Sequence, residues 1–455
     1  MRKCALFLLI FLSSCKVGPN YHAPIIQLPQ EFKEPIHLGK WWEQFDDPLL
    51  NQLIEEGIKG NFDLKMAFQR INYAREVYRI TDTSLLPSID IDGLFNRERI
   101  SQTLSDSPFL GSMFQNIWNF RFDASWELDF FGRIQRKREA EYADYEATQE
   151  AFNDISLIVI SEISKTYNDI RVNEALLEST ENLVNAYKTR MELSFDRMEA
   201  GLDSDLDVKE MVALFRETQA RIYPLEMLIK KLNMTLSILL GRSIHLETKG
   251  PLLNGYGKTN IYLPSDLLRR RPDVREAERY LAAATARIGE KKAELFPIFS
   301  LTSVWGFLTS QTPNIFNVNS QAWRFGPEFR WPFVDFGRIR SEMKAQTAKE
   351  QEALAQYEKT VLSSIKDAET SLFSYKEEEI RYQDKQAALN AKQQALTYTE
   401  EKWEAGLISY AESLNETINY YETEIQTLSA QGELFTRLIT LYKSLGGEWT
   451  CSSSP

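Results

Sequence analysis

The chain has 455 residues, with 53 Lys and Arg against 65 Asp and Glu, giving a formal net charge of −12. Hydrophobic residues make up 43% and charged residues 26%, an ordinary balance that excludes a disordered tail and a basic nucleic-acid binder. Beyond residue 14, no apolar run approaches the ~20 residues that a spanning helix needs, which excludes a helical transporter.

The N-terminus has the pattern of a secretory signal peptide over residues 1–14, with a short basic start followed by a brief apolar stretch. Leu12-Ser13-Ser14-Cys15 resembles the bacterial lipobox, which implies a mature chain that begins at Cys15 and carries covalent lipid, including palmitate, there. The alternative is an ordinary signal peptide with an incidental cysteine. The Pro-rich segment that follows predicts an extended, lipidated tether over 15–48.

Two halves of the remaining chain repeat each other. Phe131-Gly132-Arg133-Ile134 recurs at 336–339, Glu199-Ala200-Gly201-Leu202 at 404–407, and Leu240-Gly241 at 445–446, always 205 residues apart. We predict two repeats, each with a helix, a β-hairpin and a long helical hairpin, joined by a connector over 248–262 and followed by a tail over 450–455. Repeat 1 covers 49–247, with its hairpins at 86–130 and 133–241, and repeat 2 covers 263–449, with its hairpins at 296–334 and 338–446.

Each β-hairpin contains a strand with one polar and one apolar face. Over 117–130, Trp and Phe alternate strictly with polar residues, and 323–333 repeats the pattern, although Pro327 and Pro332 both fall within that predicted strand. Such alternation is typical of a membrane β-barrel with a wet lumen, while a strand of a soluble sandwich is the alternative. The candidate lumen-facing residues are Arg121, Asp123, Glu127, Arg324, Glu328 and Arg330.

The helical part of each repeat is dominated by one very long helix. No Pro or Gly interrupts 134–200, and apolar residues recur there at the spacing of a coiled coil. At 1.5 Å per residue, such a helix of about 67 residues is roughly 100 Å long. Shorter helices predicted over 62–85 and 203–240 together match that length and are expected to pack along it.

Four strands per chain set a closure problem. Small membrane barrels need about eight strands, and an open sheet edge is not tolerated in hydrocarbon, because each unpaired backbone group costs several kcal/mol. Several copies must therefore share one barrel. This argument requires at least two copies, favours three, and leaves the exact number open.

The chain as a whole resembles the TolC family of outer-membrane efflux proteins, in its lipoprotein (OprM/NodT) branch. The motifs that carry the resemblance are Cys15-Lys16-Val17-Gly18-Pro19-Asn20-Tyr21, with Asn20 where Asp is usual, Trp41-Trp42, Arg270-Arg271-Pro272-Asp273-Val274 and Leu445-Gly446-Gly447. The resemblance implies a mixed α+β membrane protein: a long α-helical coiled-coil tunnel in the periplasm, and a transmembrane β-barrel shared by a homotrimer in the outer membrane.

The same resemblance implies function and partners. The channel would be the exit duct of a tripartite system, passing small molecules from an inner-membrane efflux transporter and a periplasmic adaptor protein to the outside, with no cofactor beyond the lipid on Cys15. Adaptor docking falls on the hairpin tips, at Gly201, Leu202, Ser204, Gly406, Leu407 and Ser409. The family's acidic ring at the periplasmic entrance falls on Glu412 and on the neutral Asn415, so that Asp205, Asp207 and Glu210 become further candidates.

The same residues allow several alternatives. Acids at the start of a helix also cap it, and we weigh capping and gating evenly for Asp205 and Asp207 and favour gating for Glu412. The sequence has no Gly-x-Ser-x-Gly, Gly-x-x-x-x-Gly-Lys or Cys-x-x-Cys motif and only three scattered His, so we expect neither an enzyme nor a metal site. A duct for type I protein secretion, or a lipid-anchored scaffold without a pore, stays open.

Overall fold

The structure is a computed structural model that describes residues 16–24, 40–99, 114–244, 252 and 270–447. The predicted signal peptide, the predicted lipid-anchor residue Cys15, residues 25–39 of the predicted tether, most of the predicted connector, and the tail lie outside these residues. None of the helices in the described ranges is both long and apolar enough to cross a membrane.

Repeat 1 contains five helices and two strands in the described residues. A 3₁₀ turn at Trp41–Phe45 is followed by helices α1 (Pro48–Gly60) and α2 (Phe62–Thr83), strands β1 (Ser88–Arg99) and β2 (Phe114–Leu128), and helices α3 (Arg133–Glu199), α4 (Asp205–Ala220) and α5 (Ile222–Leu240). The helix predicted over 62–85 and the uninterrupted helix predicted over 134–200 are confirmed.

In the described residues, repeat 2 follows the order of repeat 1 from α2 onward, except that its return helix is not divided. It contains α6 (Pro272–Ala293), β3 (Ile298–Thr309), two 3₁₀ turns (Thr312–Asn314 and Val318–Ser320), β4 (Gln321–Arg330), α7 (Arg338–Glu404) and α8 (Tyr410–Ser444). Helices α3 and α7 each have 67 residues. The internal repetition seen in the sequence is therefore also present in the order and length of the elements.

Two details differ from the predictions. The return helix predicted over 203–240 is divided at Arg221 into α4 and α5, because Pro224 has no N–H to donate to the carbonyl four residues earlier. The placement of both Pro327 and Pro332 within one strand was wrong, since β4 ends at Arg330. Pro327 remains in β4, which is an edge strand of the sheet in this chain, where proline is tolerated.

The four strands form one antiparallel sheet in the order β1-β2-β3-β4. Trp126 and Trp331, which are equivalent in the two repeats, fix the entry of the chain into β1 and β3. The Trp126 indole N–H donates to Leu85 O at 2.9 Å, and the Trp331 indole N–H donates to Leu295 O at 3.1 Å. Each β-hairpin is thus held at its start by the same side-chain contact.

The chain divides into two compact units, and each unit takes segments from both repeats. Among the described residues, the first unit contains 16–24, 70–99, 114–148 and 276–358, and the second contains the rest. The second unit has the larger apolar core, in which Trp41, Tyr167 and Phe435 are buried. Trp41 thus belongs to a packed core, although it lies within the segment predicted as a tether.

Candidate functional site

The chain reverses between α3 and α4 at Gly201, whose φ of +76° lies in the left-handed region that favours glycine. The Gly201 N–H donates to Met198 O at 2.9 Å, and the Leu202 N–H donates to Arg197 O at 2.8 Å. This pair of bonds is the Schellman motif, which satisfies carbonyls left free at a helix end. We call this turn, residues 200–204, the first tip.

The turn between α7 and α8, residues 405–409, is the second tip and repeats this geometry. Gly406 has a φ of +71°, its N–H donates to Trp403 O at 2.9 Å, and the Leu407 N–H donates to Lys402 O at 2.9 Å. Leu407 is 74% exposed and its counterpart Leu202 is 67% exposed. Both tips therefore have the same backbone fold and present an apolar side chain at their surface.

Each tip leads into a helix through a capping box, in which a serine and the residue three positions later exchange hydrogen bonds. The Ser204 N–H donates to Asp207 Oδ2 at 2.8 Å, and the Asp207 N–H donates to Ser204 Oγ at 3.3 Å. Ser409 and Glu412 form the same pair. Hydrogen bonds from the Ser204 hydroxyl and N–H hold the pKa of Asp207 below its usual value. Both acids therefore have a capping role.

The other candidate acids at the tips have different surroundings. Asp205 and Glu210 are exposed, and Asp205 Oδ1 lies 3.8 Å from Lys209 Nζ. Asn415 accepts a hydrogen bond from Arg190 Nε at 3.3 Å, which connects α8 to α3. The structure thus places Asp205, Asp207 and Glu210 on the first turns of α4 and Glu412 and Asn415 on those of α8.

One acid that sequence reasoning left out of the site is held tightly at the first tip. Asp203 accepts hydrogen bonds from Arg197 Nε at 2.9 Å and from Ser194 Oγ at 3.2 Å. This contact ties the last turn of α3 to the residues just beyond the glycine. An arginine six residues before an aspartate, with a turn glycine between them, is the sequence signal that could have indicated it.

The six residues predicted to face a lumen share one face of the sheet. Residues paired across antiparallel strands point to the same side. The register pairs Arg121 with Asp92, Asp123 with Val304, and Val304 with Arg324. Glu127 pairs with Ser300, which pairs with Glu328, and Arg330 follows Glu328 at the next position on the same side.

Ion pairs organise part of this polar face. Arg121 Nε lies 2.6 Å from Asp123 Oδ2, and Arg121 Nη2 lies 3.4 Å from Asp92 Oδ2. Glu127 accepts three hydrogen bonds from Arg133, at the start of α3. Sequence reasoning did not include Asp92 among the candidates, although it lies near the start of β1, where Ile89 and Ile91 alternate clearly with Asp90 and Asp92.

The opposite face of the sheet is apolar and aromatic. Phe95 and Trp118 have ring centroids 4.2 Å apart, and Phe122 and Trp305 have centroids 5.7 Å apart. Trp323, on the same face, is 74% exposed. A face this rich in exposed aromatic side chains requires an apolar environment or a partner surface.

The N-terminal segment is docked onto the first unit by a buried arginine. Arg136 is 3% exposed and donates to Val17 O at 3.0 Å, Gly18 O at 3.2 Å and Asn20 Oδ1 at 2.8 Å. Burial lowers the pKa of Arg136. The residues directly after Cys15 are therefore fixed, and Asn20, which departs from the family pattern, accepts one of the bonds.

No group of three or more His, Cys, Asp or Glu in the described part of the chain is arranged to hold a metal ion. The described residues form two tips with matching geometry and a sheet with one charged and one aromatic face.

Comparison with known proteins agrees with this description. The model of the family described as outer membrane efflux protein matches residues 53–242 and 263–447. The solvent efflux pump outer membrane protein SrpC of Pseudomonas putida is 27% identical, covering 99% of this chain and 98% of its own length. The cation efflux system protein CusC of Escherichia coli strain K12 is 26% identical, and the match covers 96% of this chain and 97% of CusC.

A solved structure extends the comparison to the fold. The structure of the outer-membrane channel OprN superposes on this chain with a TM-score of 0.86 and 27% sequence identity, covering 96% of this chain and 100% of that one. The similarity therefore includes both the helical hairpins and the sheet.

Proposed function

The chain belongs to the outer membrane efflux protein family, and from this premise we propose that it is the exit duct of a tripartite efflux system. The predicted resemblance to this family and the predicted fold class, a helical tunnel with a β-barrel part, are confirmed by this membership and by the likeness to OprN. The single observation that carries the proposal is the four-stranded sheet with one charged and one aromatic face.

The sheet supports a homotrimer. Its order leaves one side of β1 and one side of β4 without a strand partner in this chain. In hydrocarbon, those backbone groups must be paired, so β4 of one copy would pair with β1 of the next. Three copies give twelve strands, with the aromatic faces toward lipid of the outer membrane and the charged faces, including Arg121 and Arg324, around water.

The tips support docking of a periplasmic adaptor that connects the duct to an inner-membrane transporter. Leu202 and Leu407 are the most exposed apolar side chains of the two tips, and Schellman and capping contacts hold the backbone around them. A rigid turn that presents an apolar side chain loses little conformational entropy on binding, which favours its use as a contact point. The helical hairpins would form the tunnel.

The acids beside the tips support a cation-selective entrance. In a trimer, Glu412 beside the second tip and Asp205, Asp207 and Glu210 beside the first tip would each be present three times, and their summed field would favour cations at a narrow mouth. Capping and gating are compatible for Glu412, since its carboxylate has more acceptor sites than the capping bond uses.

The docked N-terminal segment supports a lipid anchor on Cys15. Arg136 fixes residues 17, 18 and 20, so acyl chains on Cys15 would leave the protein close to the end of β2, where Val17 N–H donates to Phe131 O at 3.3 Å. No cofactor beyond this lipid is needed by the proposal. The names of two relatives refer to efflux of solvents and of cations, and we propose that this chain also passes small molecules.

Two measurements on the full-length protein test the duct. In planar lipid bilayers, purified protein is expected to give stepwise ionic conductance that favours cations. In cells, photo-crosslinkers at Leu202 and Leu407 are expected to capture the adaptor, while one at the buried Leu434 is not. Membrane-inserted protein without conductance, together with no capture from either leucine, would contradict the proposal and favour the scaffold reading. Capture of a secretion adaptor would favour type I secretion instead.

A further inference from the structure

A groove of about 500 Å³ lies beside the second tip, within the second compact unit, and none of the side-chain contacts described above involves its aromatic lining. One wall is formed by α3, and the others by the end of α7 and the first turns of α8. We call it the aromatic groove and define it by Trp403, Tyr410, Tyr421, Glu400 and Glu404. Its size falls in the range of small-molecule sites.

Three aromatic rings line the groove. The rings of Trp403 and Tyr410 have centroids 4.9 Å apart at an interplanar angle of 35°. Trp403 is 42% exposed and Tyr410 is 39% exposed, so part of each ring is open to a ligand. Because the face of an aromatic ring carries partial negative charge, rings arranged in this way attract a cation.

The charged side chains that line the groove are negative, like the faces of the rings. Glu400 and Glu404 contribute carboxylates, and none of the described residues that line the groove is a lysine, arginine or histidine. Burial raises the pKa of Tyr421, and the carboxylates of Glu424 and Glu400 raise it further. The carboxylate of Glu400 therefore acts on the third ring, and the described lining carries two acidic and no basic side chains.

The aromatic residues are not needed to build the tip. At the matching positions of repeat 1, 205 residues earlier, Met198 stands for Trp403, Asp205 for Tyr410 and Arg216 for Tyr421. Even so, the first tip makes the same Schellman bonds and the same capping box as the second. The rings are therefore specific to repeat 2 and serve something other than the turn.

We propose that the aromatic groove binds organic cations of the quaternary ammonium class, with the cationic head against Trp403 and Tyr410 and the charge balanced by Glu400 and Glu404. A quaternary ammonium suits this lining because it has no N–H donor to satisfy and is weakly hydrated, so ring faces and carboxylates can replace its water. Binding at this groove does not depend on whether the chain conducts ions.

The test is a saturation-transfer NMR titration of the full-length protein, in a glucoside detergent that has no choline headgroup. The probe is choline, and the comparison compound is 3,3-dimethylbutan-1-ol, which has the same shape without the charge. Choline should bind saturably and about three- to tenfold more tightly than the alcohol. Trp403→Leu and Glu404→Gln should each weaken choline binding, and Trp403→Phe should keep part of it.

Glu401→Gln is the matched control, since Glu401 is an exposed carboxylate on the same helix but does not line the groove. It should leave choline binding unchanged. Three results would each overturn the proposal: no saturable binding of choline, equal affinity for the neutral alcohol, or the same loss in Glu401→Gln as in Glu404→Gln. Because the readout is binding by purified protein, it is separate from the conductance that tests the duct.

Discussion

Ser409 and Glu412 exchange two hydrogen bonds across the first turn of α8: the Glu412 N–H donates to Ser409 Oγ at 3.3 Å, and the Ser409 N–H donates to Glu412 Oε2 at 3.3 Å. Ser204 and Asp207 do the same at α4. The residue proposed to constrict the entrance is thus also a capping residue, and a test of its charge must keep the cap intact.

Glu412→Gln and Ser409→Ala separate these two roles. Glutamine can still complete a capping box, so Glu412→Gln removes only the charge and should reduce the cation preference of the conductance in planar bilayers. Ser409→Ala weakens the cap by about 1 kcal/mol and keeps the charge, so its conductance should match that of the wild type. Equal effects of the two changes would show that capping, not charge, controls the entrance.

Gly306→Ala should disrupt the sheet. A β-carbon at Gly306 would overlap Phe120 O and lie 2.5 Å from Arg121 Cα, which are backbone atoms that cannot move independently of β2. We expect a cost of more than about 2 kcal/mol and a several-fold fall in heat-modifiable, membrane-integrated oligomer on gels. Gly326→Ala is the control, because a β-carbon there meets nothing within 4 Å. Equal yields of the two variants would contradict the packing described here.

Arg136→Ala should release the N-terminal segment. The change leaves Val17 O, Gly18 O and Asn20 Oδ1 without their shared donor, a loss of about 2–4 kcal/mol for the docked state. Hydrogen–deuterium exchange of a peptide that covers residues 16–21 should accelerate by about tenfold or more. Arg138→Ala, which removes the more exposed Arg138–Asp82 pair, should leave that peptide protected. Unchanged exchange in Arg136→Ala would refute the docking role.

Asp169 predicts a pH-dependent stability. Burial first, and then the nearby Glu433 and Glu162, raise the pKa of this carboxyl to about 6, against the opposing effects of Lys165 and Asn168. The folded state therefore binds the proton more tightly than the unfolded state. The protonated Asp169 carboxyl therefore stabilises the folded state fully below pH ~4, and this stabilisation is lost as the pH rises through about 6.

Asp169→Asn removes that loss. The variant should have a higher midpoint of thermal unfolding than the wild type at pH 7, by about 1–3 °C, and the difference should vanish as the pH falls to 4. Asp384→Asn, at an exposed position on α7, should show no such trend. A difference for Asp169→Asn that is the same at both pH values would exclude titration of Asp169 as the cause.

Periodicity predicted the parts of the fold that depend on local pattern. The alternation over 117–130 indicated β2 and its two faces, and the absence of Pro and Gly over 134–200 indicated α3. In β3 the alternation is mixed because its polar face includes Val304, Gly306 and Leu308. Gly306 stands opposite Arg121, where the backbones approach closely. The pattern of a single strand does not contain that information.

Two helix boundaries have sequence signals that the predictions did not use. Asp47 followed by Pro48 is a capping residue and a favoured first helical residue, and the Asp47 side chain accepts from the Leu49 and Leu50 N–H groups at the start of α1. Pro224 marks the division between α4 and α5 in the same way. The contact of Arg136 with Asn20 depends on the tertiary fold, which propensity and periodicity do not encode. The contact of Arg197 with Asp203 depends on the geometry of the turn at Gly201, which the spacing of arginine, glycine and aspartate could have indicated.

One chain cannot close its own sheet, and we propose that three chains share a barrel. The most direct test is to determine how many chains the folded, membrane-inserted form contains, by native mass spectrometry of full-length protein released from lipid nanodiscs. The account predicts particles that contain three chains. Stable, inserted particles with a single chain and four folded strands would contradict it.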